Sequence, residues 1–219
     1  MRTENNVYYR YIIFLHFFMH SPVRILIKRK IFLLFVGLSV AILSFLVTII
    51  MPLEYRADAD LLIISKTRYG VDPYTVIKSA ERVGENLAQI VSTDDFYKKV
   101  IDQPGYNLDT EKLQALSPRE RRKKWGKTVN ASVVFGTGIL RVSAYNENNE
   151  QANAFAGAAV DALVAQGWEY VGGDVTMKIV NRPVVTRFPV RPNMIVNVVL
   201  GFIVGVLLAG VLVLRKRFL

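Results

Sequence analysis

The 21 residues from Met194 to Leu214 contain no charged side chain. This run constrains the chain more than any other part of it. As a helix it reaches about 31 Å, against about 30 Å for the hydrocarbon core of a bilayer. Asn197 is its one strongly polar side chain, and it lacks the polar face that a helix of a soluble domain normally carries. It therefore reads as transmembrane helix 194–214, with Arg215, Lys216 and Arg217 opening a cytoplasmic tail at 215–219. Pro183, Pro189 and Pro192 mark a proline-rich exit at 183–192, an extended approach that is neither helix nor inner strand.

A second uncharged run of 21 residues, Ile31 to Met51, follows Lys28, Arg29 and Lys30. A signal-peptide apolar core spans about 7 to 15 residues. The longer run predicts an uncleaved anchor at 31–51, although Ala57-Asp58-Ala59 fits a cleavage pattern several residues beyond it. Of the net charge of +10, the flanks before Ile31 and after Leu214 carry +8, leaving 19 basic and 17 acidic residues between Pro52 and Asn193. A nucleic-acid binder concentrates its excess on the folded domain; here the excess sits beside the apolar runs, as the positive-inside rule expects. The expected arrangement has both termini cytoplasmic and 52–193 extracytoplasmic. There is no cysteine, which excludes disulfides and thiol chemistry.

Residues 1–30 form the expected cytoplasmic N-terminal segment. Within it, Val7 to His20 reads as an aromatic interfacial stretch or a loose tail. His16 and His20 stand at i,i+4, but no third ligand lies nearby, so no metal site is expected. Both apolar runs carry small residues at helical spacing: Gly37, Ala41, Ser44 and Thr48 in the first, and Asn197, Gly201, Gly205 and Ala209 in the second. Such stripes let helices approach closely, between spans or between subunits, and Asn197 can bond across the contact.

In the central domain, alternation from Tyr55 to Ile64 predicts a strand with Ala57, Ala59, Leu61 and Ile63 on one face. Asp72-Pro73 starts a helix with Ile77, Ala80, Gly84, Leu87 and Val91 inward. Ser92 or Thr93 opens another, with Phe96, Val100 and Ile101 inward, stopped at Pro104-Gly105. Ser117-Pro118 begins a basic helix: Arg119, Arg121, Arg122, Lys123 and Lys124, then Trp125, with Lys127 beyond. A solvated face is one reading; contact with lipid phosphates or an anionic glycan is the other, with Trp125 as interfacial anchor, sugar-stacking ring or core. Thr128 to Phe135 and Ile139 to Tyr145 alternate around Gly136-Thr137-Gly138, a hairpin. Asn149 caps a helix to about Tyr170 with Ala152, Phe155, Ala156, Ala159, Val160 and Leu163 on one face. Gly172-Gly173 ends it, and Val175, Met177 and Ile179 start a last strand. The order predicts an α+β protein: two transmembrane helices flanking a ferredoxin-like (split βαβ) domain.

The domain has no His and no Cys, so neither a catalytic residue nor a metal or other cofactor is expected. Asp58 and Asp60 share a strand face, which ordinarily means solvated carboxylates rather than a pair flanking a cleft. Gly136-Thr137-Gly138 lacks the lysine and helix start of a phosphate loop.

The basic lead into the first apolar run, Pro52-x-x-Tyr55-x-Ala57-x-Ala59, Thr137-Gly138-Ile139-Leu140, the alanine-rich helix and the Pro183, Pro189, Pro192 segment before a glycine-bearing run recur in this order. Over roughly Lys28 to Arg217 the chain thereby resembles the polysaccharide co-polymerase, or Wzz-type chain-length determinant, family. The resemblance implies a protein of a bacterial inner or plasma membrane that forms homo-oligomers. It implies control of the chain length and export of a surface polysaccharide (O-antigen of lipopolysaccharide, capsule or exopolysaccharide), without catalysis. The implied partners are a polysaccharide polymerase and its lipid-linked glycan. The chain departs from larger members in lacking a long helical arm after the alanine-rich helix, and it has no fused tyrosine-kinase domain. It also resembles the short transmembrane partners of separate cytoplasmic tyrosine kinases, which implies an adaptor role with a kinase as partner. A two-span channel subunit is a third reading, but no pore loop or charged intramembrane residue supports it.

Overall fold

The computed structural model describes residues 24, 26–65, 72–172 and 175–218. The aromatic stretch with His16 and His20, Gly173 and Leu219 lie outside the described residues. In chain order the elements are α1 (Lys30–Ile50), β1 (Tyr55–Ser65), α2 (Pro73–Ile90), α3 (Asp94–Ile101), α4 (Glu111–Gln114), α5 (Pro118–Thr128), β2 (Val129–Val134), β3 (Ile139–Asn146), α6 (Asn149–Gln166), α7 (Trp168–Val171), β4 (Val175–Val185) and α8 (Met194–Phe218). They form two units, one holding α1 and α8 and the other spanning Leu53–Arg191.

Helices α1 and α8 are long and apolar enough to cross a membrane. Their outward side chains are exposed and apolar, among them Phe35 (69%), Leu38, Ile195 and Leu207. A helix in the core of a soluble domain would have covered them. The first runs over 30–50, one residue ahead of the expected 31–51. The second continues to Phe218, so most of the expected tail is helical: the N–H groups of residues 215–218 donate back into the preceding turn, and only their carbonyls look outside the helix.

The second unit is an α+β layer. Its four strands pair antiparallel in the order β2-β3-β1-β4. Ala57, Ala59, Leu61 and Ile63 of β1, with Leu140, Val142 and Ala144 of β3, face the helices and are buried. The period-2 alternation dictates this. Helix α6 lies over them with Ala152, Phe155, Ala156, Ala159, Val160 and Leu163 buried, small residues allowing its backbone close to the strands. Gly84 of α2 approaches the sheet equally closely: a Cβ there would stand 2.9 Å from Val133 and 3.1 Å from Ile63.

The caps act where side-chain oxygens can satisfy the first free amides. Asp72 accepts from Thr75 N, Thr93 from Phe96 N, and Asn148 from Glu150 N. Asn148, not Asn149, is therefore the cap of α6. That helix breaks at Gly167, where Met177 occupies the space a side chain would need, so Trp168 to Val171 form a separate turn rather than the helix reaching Tyr170. Ile77, expected inward, is 39% exposed; it sits a turn before Ala80, the residue that meets Gly138 at the end of the sheet. Ile101 is only partly buried, because α3 ends there.

Pro183 lies within β4, an edge strand, where its missing N–H costs no ladder bond. The chain beyond is not a free linker. Thr186 N donates to Arg56 O, Val190 N to Glu54 O, and Glu54 N to Arg191 O at 2.8 Å. Entry and exit of the unit are thereby held side by side.

Candidate functional site

The small-residue stripes face each other within one chain. A Cβ on Gly205 would lie 2.9 Å from Gly37 Cα, and one on Gly201 would lie 2.7 Å from Ser44 Cβ. Ala41 and Ala209 are buried in the same seam. At one end Ser44 Oγ donates to Asn197 O at 2.9 Å, Thr48 Oγ1 to Ser44 O at 2.7 Å, and Asn197 Nδ2 to Thr48 Oγ1 at 3.2 Å. The polar groups satisfy one another in an otherwise apolar contact.

In the α+β unit, Arg191 ties the chain's entry, its exit and the basic helix together. Its Nη1 donates to Lys127 O at 2.8 Å and lies 3.7 Å from Glu54 Oε2, while the guanidinium stacks 3.3 Å from the Tyr145 ring centre. Beside this cluster opens a cleft of about 320 Å³, lined by Glu54, Asp109, Lys124, Tyr145, Glu147 and Phe155 among others. Neither Glu54 nor Tyr145 stood out in the sequence. In sequence Arg191 is, with Arg182 and Arg187, only one of three cations before the second apolar run, and it shows no partner there.

The six cations of α5 do not form one surface. Arg121 turns inward and binds Asp94 through Nε at 2.8 Å and Nη2 at 3.2 Å. The guanidinium holds the Asp94 carboxyl below its ordinary range. Of the three readings of Trp125, the core one holds in the fold: it is 0% exposed, donates Nε1–H to Val91 O at 2.8 Å, and packs edge-on against Tyr97 and Phe155. Its ring therefore offers no face to the surface. Arg119, Arg122, Lys123, Lys124 and Lys127 remain exposed.

Asp58 and Asp60 lie on the sheet face away from the helices, and neither is a free carboxylate. Asp58 accepts from Ser143 Oγ at 2.7 Å and pairs with Arg56; Asp60 accepts from Arg141 Nε at 2.8 Å and Asn181 Nδ2 at 2.9 Å. The Arg141 bond holds the Asp60 carboxyl down, against the upward pull of burial. Glu81, buried, accepts from Lys78 at 2.7 Å and from Gly136 N, and is likewise lowered. These shifts keep carboxylates ionised, opposite to what a general acid at neutral pH needs. Beyond Glu81, Phe135 at the hairpin tip is 85% exposed beneath the Lys78 ammonium.

Compared with protein-family models and with curated proteins, the chain matches none.

Proposed function

We propose that the chain is a two-span protein of a bacterial inner or plasma membrane, with both termini cytoplasmic and a ferredoxin-like extracytoplasmic domain. In this reading it is a non-enzymatic regulator of surface polysaccharide chain length and export. It acts as an oligomeric scaffold beside a polymerase that extends a lipid-linked glycan. One observation carries the reading: the β2-β3-β1-β4 order with the Glu54–Arg191 bridge returns both chain ends to one end of the sheet, and each end continues into an apolar helix of bilayer length. The exposed apolar faces of α1 and α8 support the membrane part. The paired, ionised carboxylates support a role without acid–base catalysis.

The test is the length distribution of surface polysaccharide on a gel, with the gene deleted and then restored. Loss of a defined modal length, reversed on restoration, supports the reading; an unchanged distribution overturns it. Orientation is tested separately with Gln114→Cys, at an exposed position of a chain that has no cysteine of its own. An impermeant thiol reagent added to intact spheroplasts should label it.

A further inference from the structure

Among the described residues, helix α5 presents four cations without a salt-bridge partner, Arg122 acting on Asp94 only from beyond contact distance. Arg119, Lys123 and Lys127 fall at i, i+4 and i+8 and so form one row about 12 Å long, with Arg122 beside it. All four are exposed, and none has a carboxylate within salt-bridge distance among the described residues. Glu120, the one acid of the helix, is turned to Ser117, whose N and Oγ it accepts at 3.3 and 2.6 Å. Arg121 is spent on Asp94, and Lys124 faces the cleft with Glu54, Asp109 and Glu147. Cations spaced i,i+4 repel one another, so the row lowers the stability of its own helix unless an anion covers it.

The chain connection beside the row points to its occupant. The Lys127 end is held by the Arg191 guanidinium, and only Pro192 and Asn193 separate Arg191 from Met194, where α8 begins. We propose that Arg119, Arg122, Lys123 and Lys127 bind the phosphates of anionic lipid headgroups, at the surface of the bilayer that α1 and α8 cross. The inference rests on the membrane-crossing part of the proposed function and not on its polysaccharide part. An anionic glycan fits less well: the ring it would stack on, Trp125, is buried on the opposite side of the helix.

The test uses the full chain in nanodiscs of phosphatidylcholine, alone or mixed with phosphatidylglycerol, reading hydrogen exchange over 118–128. For the wild type and Lys124→Gln, phosphatidylglycerol should slow exchange. In a variant carrying Arg119→Gln, Arg122→Gln, Lys123→Gln and Lys127→Gln the slowing should vanish. Each cation removed should weaken headgroup binding about fivefold, so Lys123→Gln and Lys127→Gln alone should each give partial loss even if the fourfold variant misfolds. Equal slowing in the fourfold variant, or none in the wild type, overturns the proposal. So does protection by soluble polygalacturonate in phosphatidylcholine discs that phosphatidylglycerol does not reproduce. Release of the wild type from both kinds of disc at alkaline pH defeats the membrane-crossing premise itself, and this is read independently of exchange.

Discussion

Asn197 Nδ2 donates to Thr48 Oγ1 at 3.2 Å, joining two apolar helices across the whole α+β unit in sequence. In the same seam Gly201 and Gly205 meet Ser44, Val40 and Gly37, so the small residues serve contact within one chain. Replacing both glycines by Leu should therefore separate α1 from α8. Overpacking of this kind costs about 1–3 kcal/mol per site. SDS titration in bicelles should show lower stability, with the oligomeric mass in mild detergent unchanged. A fall in mass at unchanged stability would instead place the stripe between subunits.

The same bond can be measured by itself. Single and double substitutions Asn197→Leu and Thr48→Val should give a coupling of about 0.6 kcal/mol, typical of hydrogen bonds between apolar helices. Additive effects would mean that the bond contributes nothing.

Trp125 should behave as a core residue. Trp125→Ala should cost about 3–5 kcal/mol, read by thermal melting in detergent. With the half-exposed Trp168 changed to Phe, the remaining Trp125 emission should resist iodide quenching. Ready quenching would return the ring to the surface.

Tyr97 carries a buried hydroxyl with no hydrogen-bond partner among the described residues, and burial pushes its pKa up. Deleting that oxygen removes an uncompensated desolvation cost. Tyr97→Phe should leave stability unchanged or raise it by up to about 1 kcal/mol; a clear loss would reveal a partner.

Asp60 links stability to pH. Its folded pKa lies below the ordinary 3.8 because Arg141 and Asn181 bind the ionised form. The contribution is therefore complete above the unfolded-state value and disappears as pH falls through the lower folded value. Melting between pH 7 and pH 3 should show a steeper acid loss for wild type than for Asp60→Asn. Parallel curves would show that the Arg141 bond does not distinguish the two protonation states.

Local chemistry was sufficient for much of this architecture. Uncharged runs of bilayer length become apolar helices, alternation from Tyr55 to Ile64 fixes which β1 side chains are buried, and Asp72 and Thr93 announce helix starts because their oxygens accept from free amides, while Ser117 does so through Glu120, whose carboxylate accepts its N–H and Oγ–H. One face of α6 followed from the 3.6-residue period, but Gly157, Ala158 and Ala162 are buried as well, a wider contact than that face gave. Pairing over long separations left no such trace. That Asp60 meets Arg141 and Asn181, that Arg121 turns in to Asp94 while Lys123 stays out, and that Arg191 stacks on Tyr145 beside Glu54 depends on the strand order and on which face of α5 the Trp125 ring anchors. A charge run in sequence shows how many cations a helix carries; only the packed fold decides which of them have partners, because partners come from elements tens of residues away.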